Sequence, residues 1–424
     1  MELLRYNDID LSQTVKRSEE DVNNVLDTVS DILKNVRENE DSALREYTQK
    51  FDGVIIDNLK VSDKEIKEAY DTIDTELLDA LKKASANIEK FHKKEIPEEW
   101  EIEVTDGITA GQIVRPINSV GCYIPGGRAV YPSTILMTVI PAKIAGVKKI
   151  ICCSPPQKDG KIGSAILVAA DLAGADEIYK VGGAQAIGAM AYGTQSIPKV
   201  EKIVGPGNIF VTAAKKLVFG QVDIEFPAGP SEVLILADKT ANAEFVSTDI
   251  LSQAEHDPKA SCFFVTDDST LANEVLEIVD KKLEESPRKE IIKEALSNSG
   301  KIILTENMED AIHVTNEYAP EHLVIMTEDD EKVLNQINNG GSIFLGKYSP
   351  VACGDYGSGT NHVLPTGGGA KMYSGLSTES FIKKPTVQKI TSKGLEKIAS
   401  TCIPIAEYEG LYAHVDSIKT RLKK

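Results

Sequence analysis

After Tyr123 short apolar runs alternate with segments of helical periodicity, and this rhythm constrains the fold more than any other feature of the chain. Lys148 to Cys153, Glu177 to Val181 and Lys202 to Val204 read as strands, each too apolar to face water on one side. Thr134 to Ala145, Ser164 to Ala173, Ala184 to Tyr192 and Ile209 to Phe219 read as the helices between them. A βαβ series of this kind makes a parallel sheet covered on both faces. A second series follows, with strands Glu232 to Ala237, Cys262 to Thr266, Lys301 to Leu304, His322 to Met326 and Ser342 to Leu345, and with Asn242 to Glu255 as its first helix. In 424 residues, two α/β domains are the economical solution.

The flanking segments have other patterns. Ser18 to about Phe51 and Ser62 to about His92 carry apolar residues at three- and four-residue spacing among many charges, which predicts two long amphipathic helices. Trp100 to Ile124 turns to period two with β-branched residues (Ile102, Val104, Ile108, Ile113, Val114), which predicts strands entering the next domain. From Leu376 onward the chain is basic and helical in pattern but poor in apolar residues, so it reads as a docking arm rather than a third core.

Charge narrows the range of partners. With 47 Lys+Arg against 65 Asp+Glu, the formal net charge is −18. Such a surface repels phosphate backbones, and no Lys/Arg-rich run with interleaved aromatics offsets it, so nucleic acid is not expected. The most apolar long window, Ser133 to Cys153, is broken by Lys143, Lys148 and Lys149, short of the roughly 20 uncharged residues a bilayer span needs. The N-terminus has no basic-then-apolar signal layout, and the expected location is the cytoplasm. Six cysteines (Cys122, Cys152, Cys153, Cys262, Cys353, Cys402) without CxxC spacing read as reduced thiols, three of them in apolar strands.

Glycines stand where strands run out. Glu177 to Val181 leads into Gly182-Gly183-Ala184-Gln185, and Lys202 to Val204 into Gly205-Pro206-Gly207-Asn208, each opening a helix whose free N–H groups suit a phosphate. Tyr123-Ile-Pro-Gly-Gly-Arg128 adds a third turn. No GxGxxG is present, and tight strand-to-helix turns need glycine for structural reasons as well. Four of the six histidines lie beside acids or amides. Gln253 and His256 share the last turn of one helix, where an imidazole also suits the C-terminal dipole. Glu321 and His322 stand at the mouth of an apolar strand, a placement suited to proton transfer, though such a pair also occurs in solvated loops. Asp355 and His362 lie in a glycine-rich loop, Cys353 to Gly369, whose Val363-Leu364-Pro365 argues against disorder. Glu409 and His414 lie on the C-terminal helix. Gln253, His256, Asp355 and His414 together offer two nitrogens and two oxygens, a mix that suits Zn²⁺ or another first-row divalent ion, yet spacings this long are not a motif. Composition and periodicity stop at a two-domain α/β enzyme, with nucleotide and metal dependence open.

Several long motifs, in order, carry a resemblance: Gly121-Cys-Tyr-Ile-Pro-Gly-Gly-Arg128, Gly182-Gly-Ala-Gln-Ala-Ile187, Val204-Gly-Pro-Gly-Asn-Ile-Phe-Val211, Ala228-Gly-Pro-Ser-Glu-Val233, Ser252-Gln-Ala-Glu-His-Asp257, Ala319-Pro-Glu-His-Leu323 and Gly354-Asp-Tyr-Gly-Ser-Gly-Thr-Asn-His-Val-Leu-Pro-Thr366. Through them the chain resembles the histidinol dehydrogenase family over nearly its whole length. The resemblance implies a zinc-dependent, NAD-linked four-electron alcohol and aldehyde dehydrogenase that converts L-histidinol through L-histidinaldehyde to L-histidine with two NAD⁺, the last step of histidine biosynthesis. It implies one Zn²⁺ per chain on Gln253, His256, Asp355 and His414, with Glu321 and His322 as the acid–base pair. Ser231, His362 and Glu409 would contact substrate, and Tyr123, Gln185 and Asn208 would contact NAD. The implied fold is two Rossmann-like parallel-sheet domains with N-terminal helices and a C-terminal helical dimerisation arm, which reaches the partner's site in a homodimer. The expected division is 1–20 as an N-terminal segment, 21–122 with 233–375 as the domain bearing metal and acid–base residues, 123–232 as the NAD domain, and 376–424 as the arm.

Three rival readings make different demands. A cysteine thiohemiacetal mechanism on Cys122 or Cys353 needs a reactive thiol and no metal. A metal-dependent hydrolase needs no glycine turns for a nucleotide. A non-catalytic binding protein has no use for a base at His322.

Overall fold

The structure is a computed structural model that describes residues 1–16, 22–126, 130–226 and 229–423. Two parallel sheets organise it. The first has five strands in the order Glu177–Lys180, Lys149–Ser154, Ser119–Tyr123, Lys202–Val204, Asp223–Ile224. The second has six, in the order Glu2–Arg5, Gly300–Leu304, Ser261–Thr266, Glu232–Ala237, His322–Met326, Ser342–Leu345. Leaving out the N-terminal strand, both follow chain order 3-2-1-4-5, with the order reversing beside Ser119–Tyr123 in one and beside Glu232–Ala237 in the other. The expected strands and intervening helices are present in both series, shifted by no more than a residue or two at most ends.

The N-terminal helices pack elsewhere than expected. Leu26–Asp52 covers Gly183–Tyr192 and Ile209–Val218, while Asp63–Thr72 and Thr75–His92 cover Ser164–Ala173 and Pro132–Ala145. They therefore belong to the body of the first sheet, which corrects their grouping with 233–375. The helices they meet are apolar nearly all round, so each needs a second amphipathic cover, and the stripes Val29, Ile32, Leu33, Val36 and Leu81, Ala84, Ile88 supply it. The N-terminal segment also departs from expectation, since Glu2–Arg5 joins the second sheet as its edge strand and Ser119–Tyr123 spans the expected boundary at 122.

Two further corrections concern helix length and the arm. Ser62 to His92 is two helices, because Ser62 and Glu65 form a capping box and Asp74 caps a second start by accepting from the N–H groups of Glu76 and Leu77. The arm is not wholly helical: Ile382–Lys383 pairs with Arg115–Pro116, and Thr386–Ile390 pairs antiparallel with Ile108–Gln112, which also pairs with Trp100–Thr105. The strands expected to enter the next domain thus form the root of the arm. Helices Ser392–Tyr408 and Tyr412–Leu422 follow and pack on each other. No described helix is long and apolar enough to cross a membrane.

Candidate active site

The carboxyl edge of the first sheet presents the glycine turns. Gly205, with φ +119, passes so close to Ser119–Tyr123 that a Cβ would lie 2.1 Å from the Tyr123 carbonyl oxygen, so no other residue fits. Its N–H donates to Glu225 at 2.9 Å, and Lys215 Nζ donates to its carbonyl at 3.1 Å and to Glu225 at 2.6 Å. The Tyr123 hydroxyl accepts from Gly183 N at 3.1 Å, and burial pushes its pKa up to about 12. Gln185 is buried on the first turn of Gly183–Tyr192, and its Oε1 finds no hydrogen-bond partner among the described residues. Asn208 caps its own helix by accepting from Phe210 N and Val211 N at 3.0 and 3.2 Å. Of the two expected anion sites, the N-terminus at Gly183 is the one whose N-cap residue, Gly182, supplies no side-chain cap, its first N–H going to the Tyr123 hydroxyl. Gly127, Arg128 and Ala228 of the quoted motifs lie outside the described residues.

The expected acid–base pair, Glu321 and His322, stands at the opposite kind of edge. The parallel register that sets Val233 beside His322 also sets Glu232 beside Glu321, at the amino ends of the second sheet's central strands. Glu232 N donates to Glu321 Oε2 at 2.7 Å, and His322 Nδ1 lies 3.0 Å from the Glu232 carbonyl oxygen. That contact commits Nδ1 as donor and turns Nε2 into the site. Nε2 has no hydrogen-bond partner among the described residues and lies 3.6 Å from Asp355 Oδ1, an ion-pair distance. Glu321 and His322 are each 5% exposed. Burial alone would push the His322 imidazole down, but the Glu321 and Asp355 carboxylates outweigh it and hold the pKa at about 10.

Asp355 is on the short helix Val351–Tyr356 rather than in a loop. Burial would raise its carboxyl, yet His322, and more weakly His362 and His256, hold it below the ordinary range. The Gln253 amide is buried on the last turn of Ala243–Ala254 with Nε2 unpaired among the described residues, and His256 follows, exposed. His362 Nε2 lies 3.2 Å from Ser133 Oγ, and Ser231 immediately precedes Glu232–Ala237. A cavity of about 400 Å³ opens beside them, bordered by Leu81, Tyr131, Ser133, His256, Arg288 and Tyr356. Glu409 and His414 are not brought to this place: both are exposed on the arm, and no three His, Cys, Asp or Glu side chains among the described residues are grouped to hold a metal ion.

Sequence reasoning missed Glu232, whose carboxylate also accepts from Gly367 N at 3.0 Å. It missed Ser133 and Asp52 as well; the buried Oδ2 of Asp52, near Tyr123, has no partner among the described residues, and burial raises that carboxyl to about 6. A glutamate heading an otherwise apolar strand was the available signal for Glu232. The cysteines are free; Cys122 is fully buried within its strand, while Cys353 is exposed beside Asp355.

Comparison with known proteins agrees over the whole chain. The family model described as histidinol dehydrogenase matches residues 15–422. A histidinol dehydrogenase of Methanothermobacter thermautotrophicus is 60% identical over 413 residues, 97% of this chain and 97% of that protein. One from Methanococcus maripaludis is 55% identical, over 99% of this chain and 98% of its own. The crystal structure of the histidinol dehydrogenase of Elizabethkingia anophelis superposes with a TM-score of 0.95 at 43% identity, covering 100% of this chain and 98% of the other. With matches of this extent in sequence and fold, the chain belongs to the histidinol dehydrogenase family.

Proposed function

We propose that this chain oxidises L-histidinol through L-histidinaldehyde to L-histidine in two NAD⁺-linked steps, as a cytoplasmic homodimer with one Zn²⁺ per chain. The observation that carries the reading is the group of buried Glu321 and His322 with half-buried Asp355, the Nε2 of His322 having no hydrogen-bond partner among the described residues. When bound, NAD⁺ supplies the hydride acceptor, and the divalent ion supplies an electrophile that fixes the substrate's nitrogens.

The residues present fit both groups. Gln185 keeps a buried oxygen without a partner among the described residues, on the first turn of a helix whose N-cap residue is a glycine, and Tyr123 and Asn208 would also meet the cofactor. Gln253, buried on the last turn of its helix, offers its amide oxygen as a donor, and Asp355 lies in the field of three imidazoles. With His256 they make three donors, and the fourth would be the partner subunit's His414, since the arm of one chain leaves its own His414 exposed.

His322 Nε2 takes the alcohol proton, because Nδ1 is already committed to the Glu232 carbonyl. Glu321, held through one oxygen by Glu232 N, takes a proton from the water that adds to the aldehyde. Ser231 and His362 hold the substrate, together with the partner subunit's Glu409. Metal analysis tests the reading. One ion per chain is expected in the wild type, lost in His256→Asn and in His414→Asn; stoichiometric metal in both variants contradicts it.

A further inference from the structure

The last turns of the helix Thr75–His92 are joined to the segment that separates Asp355 from His362. His92 is fully buried, with Nδ1 2.6 Å from Glu95 Oε2 and Nε2 3.4 Å from Asn361 Nδ2. Asn361 Nδ2 also donates to the Met137 carbonyl at 2.7 Å, and Asn361 Oδ1 accepts from Val363 N at 2.9 Å. Those two partners fix the amide's orientation, so its nitrogen faces His92. A donor facing Nε2 requires that atom to accept, which puts the ring hydrogen on Nδ1, where the Glu95 carboxylate receives it. Earlier on the helix, Asn87 Nδ2 donates to the Gly357 carbonyl at 2.7 Å. Gly359, φ +106, passes so near that a Cβ would lie 2.7 Å from the Asn87 carbonyl oxygen. The same helix end also holds the root of the arm: Thr378 Oγ1 donates to the His92 carbonyl at 2.9 Å, and Thr378 N donates to Glu95 Oε2 at 2.8 Å.

We infer that His92 and Asn361 are positioning residues, which set the register of the Asp355–His362 segment and tie it to the root of the arm that carries Glu409 and His414. The inference rests on the proposed site, in which Asp355 and His362 meet metal and substrate. Each pin is close to the side chain it aims, for Gly357 follows Asp355 by two residues and Asn361 directly precedes His362. A misplacement of about 1 Å at such groups costs about 100-fold in rate, so hydrogen bonds made away from the chemistry can govern it.

The test uses the full-length protein in four forms. His92→Leu removes both ring contacts, Asn361→Ala removes the amide, and His92→Gln keeps an acceptor toward Asn361. Val314→Ala, a buried core truncation on the helix Met308–Tyr318 that covers the other face of the second sheet, reports what lost stability alone does. The expected result is that His92→Leu and Asn361→Ala lose metal on dialysis and raise the KM for histidinol by about 100-fold, with the KM for NAD⁺ within about twofold of wild type. His92→Gln should recover most of the histidinol affinity, and Val314→Ala should lower Tm without moving either KM. Wild-type metal content and histidinol KM in both disruptive variants would overturn the inference, as would equal losses for the two substrates. Should His92→Leu not fold, Asn361→Ala and His92→Gln decide. Asp355→Asn, run alongside, separates the two readings. If it loses metal while His92→Leu and Asn361→Ala keep it, this inference alone fails; if it keeps metal, the site reading fails and the inference with it.

Discussion

Gly205 and Lys215 show how single atoms hold the carboxyl edge of the first sheet. Adding a methyl at Gly205 drives it into the Tyr123 carbonyl, so Gly205→Ala should cost roughly 2–4 kcal/mol in equilibrium denaturation and raise the KM for NAD⁺, with bound metal unchanged. The side chains of Lys215 and Glu225 are 2% and 1% exposed. Lys215→Met leaves the Glu225 charge buried without its partner and should destabilise by about 3–5 kcal/mol; adding Glu225→Leu should restore most of that, as a double-mutant cycle would measure. Cys353→Ala should retain most activity, because the proposed water-addition route uses no thiol; a loss of about 10³-fold in folded protein would move the chemistry to the cysteine. At this scale legibility was uneven. Glu321 and His322 drew attention as an acid and an imidazole at a strand end, and Asp355 as an acid in a glycine-rich segment. Glu232 did not, since its role depends on a register that links it to Glu321 across 89 residues and on a contact with Gly367 across 135.

The edge strand Glu177–Lys180 is pinned by charge. Burial would raise the Glu177 carboxyl, but Lys149, Lys60 and Tyr179 outweigh it and lower it from 4.5 to about 2. Because the folded value lies below the unfolded one, the stabilisation is fully present above pH 4.5 and is lost as pH falls toward 2. Glu177→Gln should therefore flatten the acid limb of the stability curve in that window, read as urea midpoints against pH. The βαβ elements were legible because strands covered on both faces are apolar without interruption, as in Lys149–Ser154 and Glu232–Ala237. The strands at the root of the arm were not: Thr386–Ile390 and Trp100–Thr105 are exposed along their whole length, so no buried face marks them. The N-terminal strand Glu2–Arg5 is four residues long and has no buried position to betray it. The split at Asp74 was there to be read in the capping residues, yet the helical period of the apolar residues continues across it.

Across the whole molecule, the proposed function uses different edges of the two sheets: the carboxyl ends of the first sheet's strands would meet the cofactor, and the amino ends of the second sheet's strands would serve proton transfer. Which sheet the N-terminal helices cover could not be read from their own stripes, because an amphipathic face does not name its partner, and the apolar helices of the first sheet decide it. The exposed Ile405, Tyr408, Leu411 and Tyr412 of the arm are the surface expected to dock on a second copy. If it docks so, mixing Glu321→Gln with His414→Asn subunits should return about a quarter of wild-type activity, because half the dimers then hold one intact site of two. No recovery after verified subunit exchange would mean that His414 serves its own chain or lies outside the site. The most direct measurement of the central claim is the stoichiometry of turnover by the purified, metal-loaded protein given L-histidinol and NAD⁺. The account predicts two NADH for each L-histidine formed, with no accumulation of aldehyde and with loss of activity on chelation. One NADH per histidinol consumed with free aldehyde released, or no histidinol-dependent NADH at all, would contradict it.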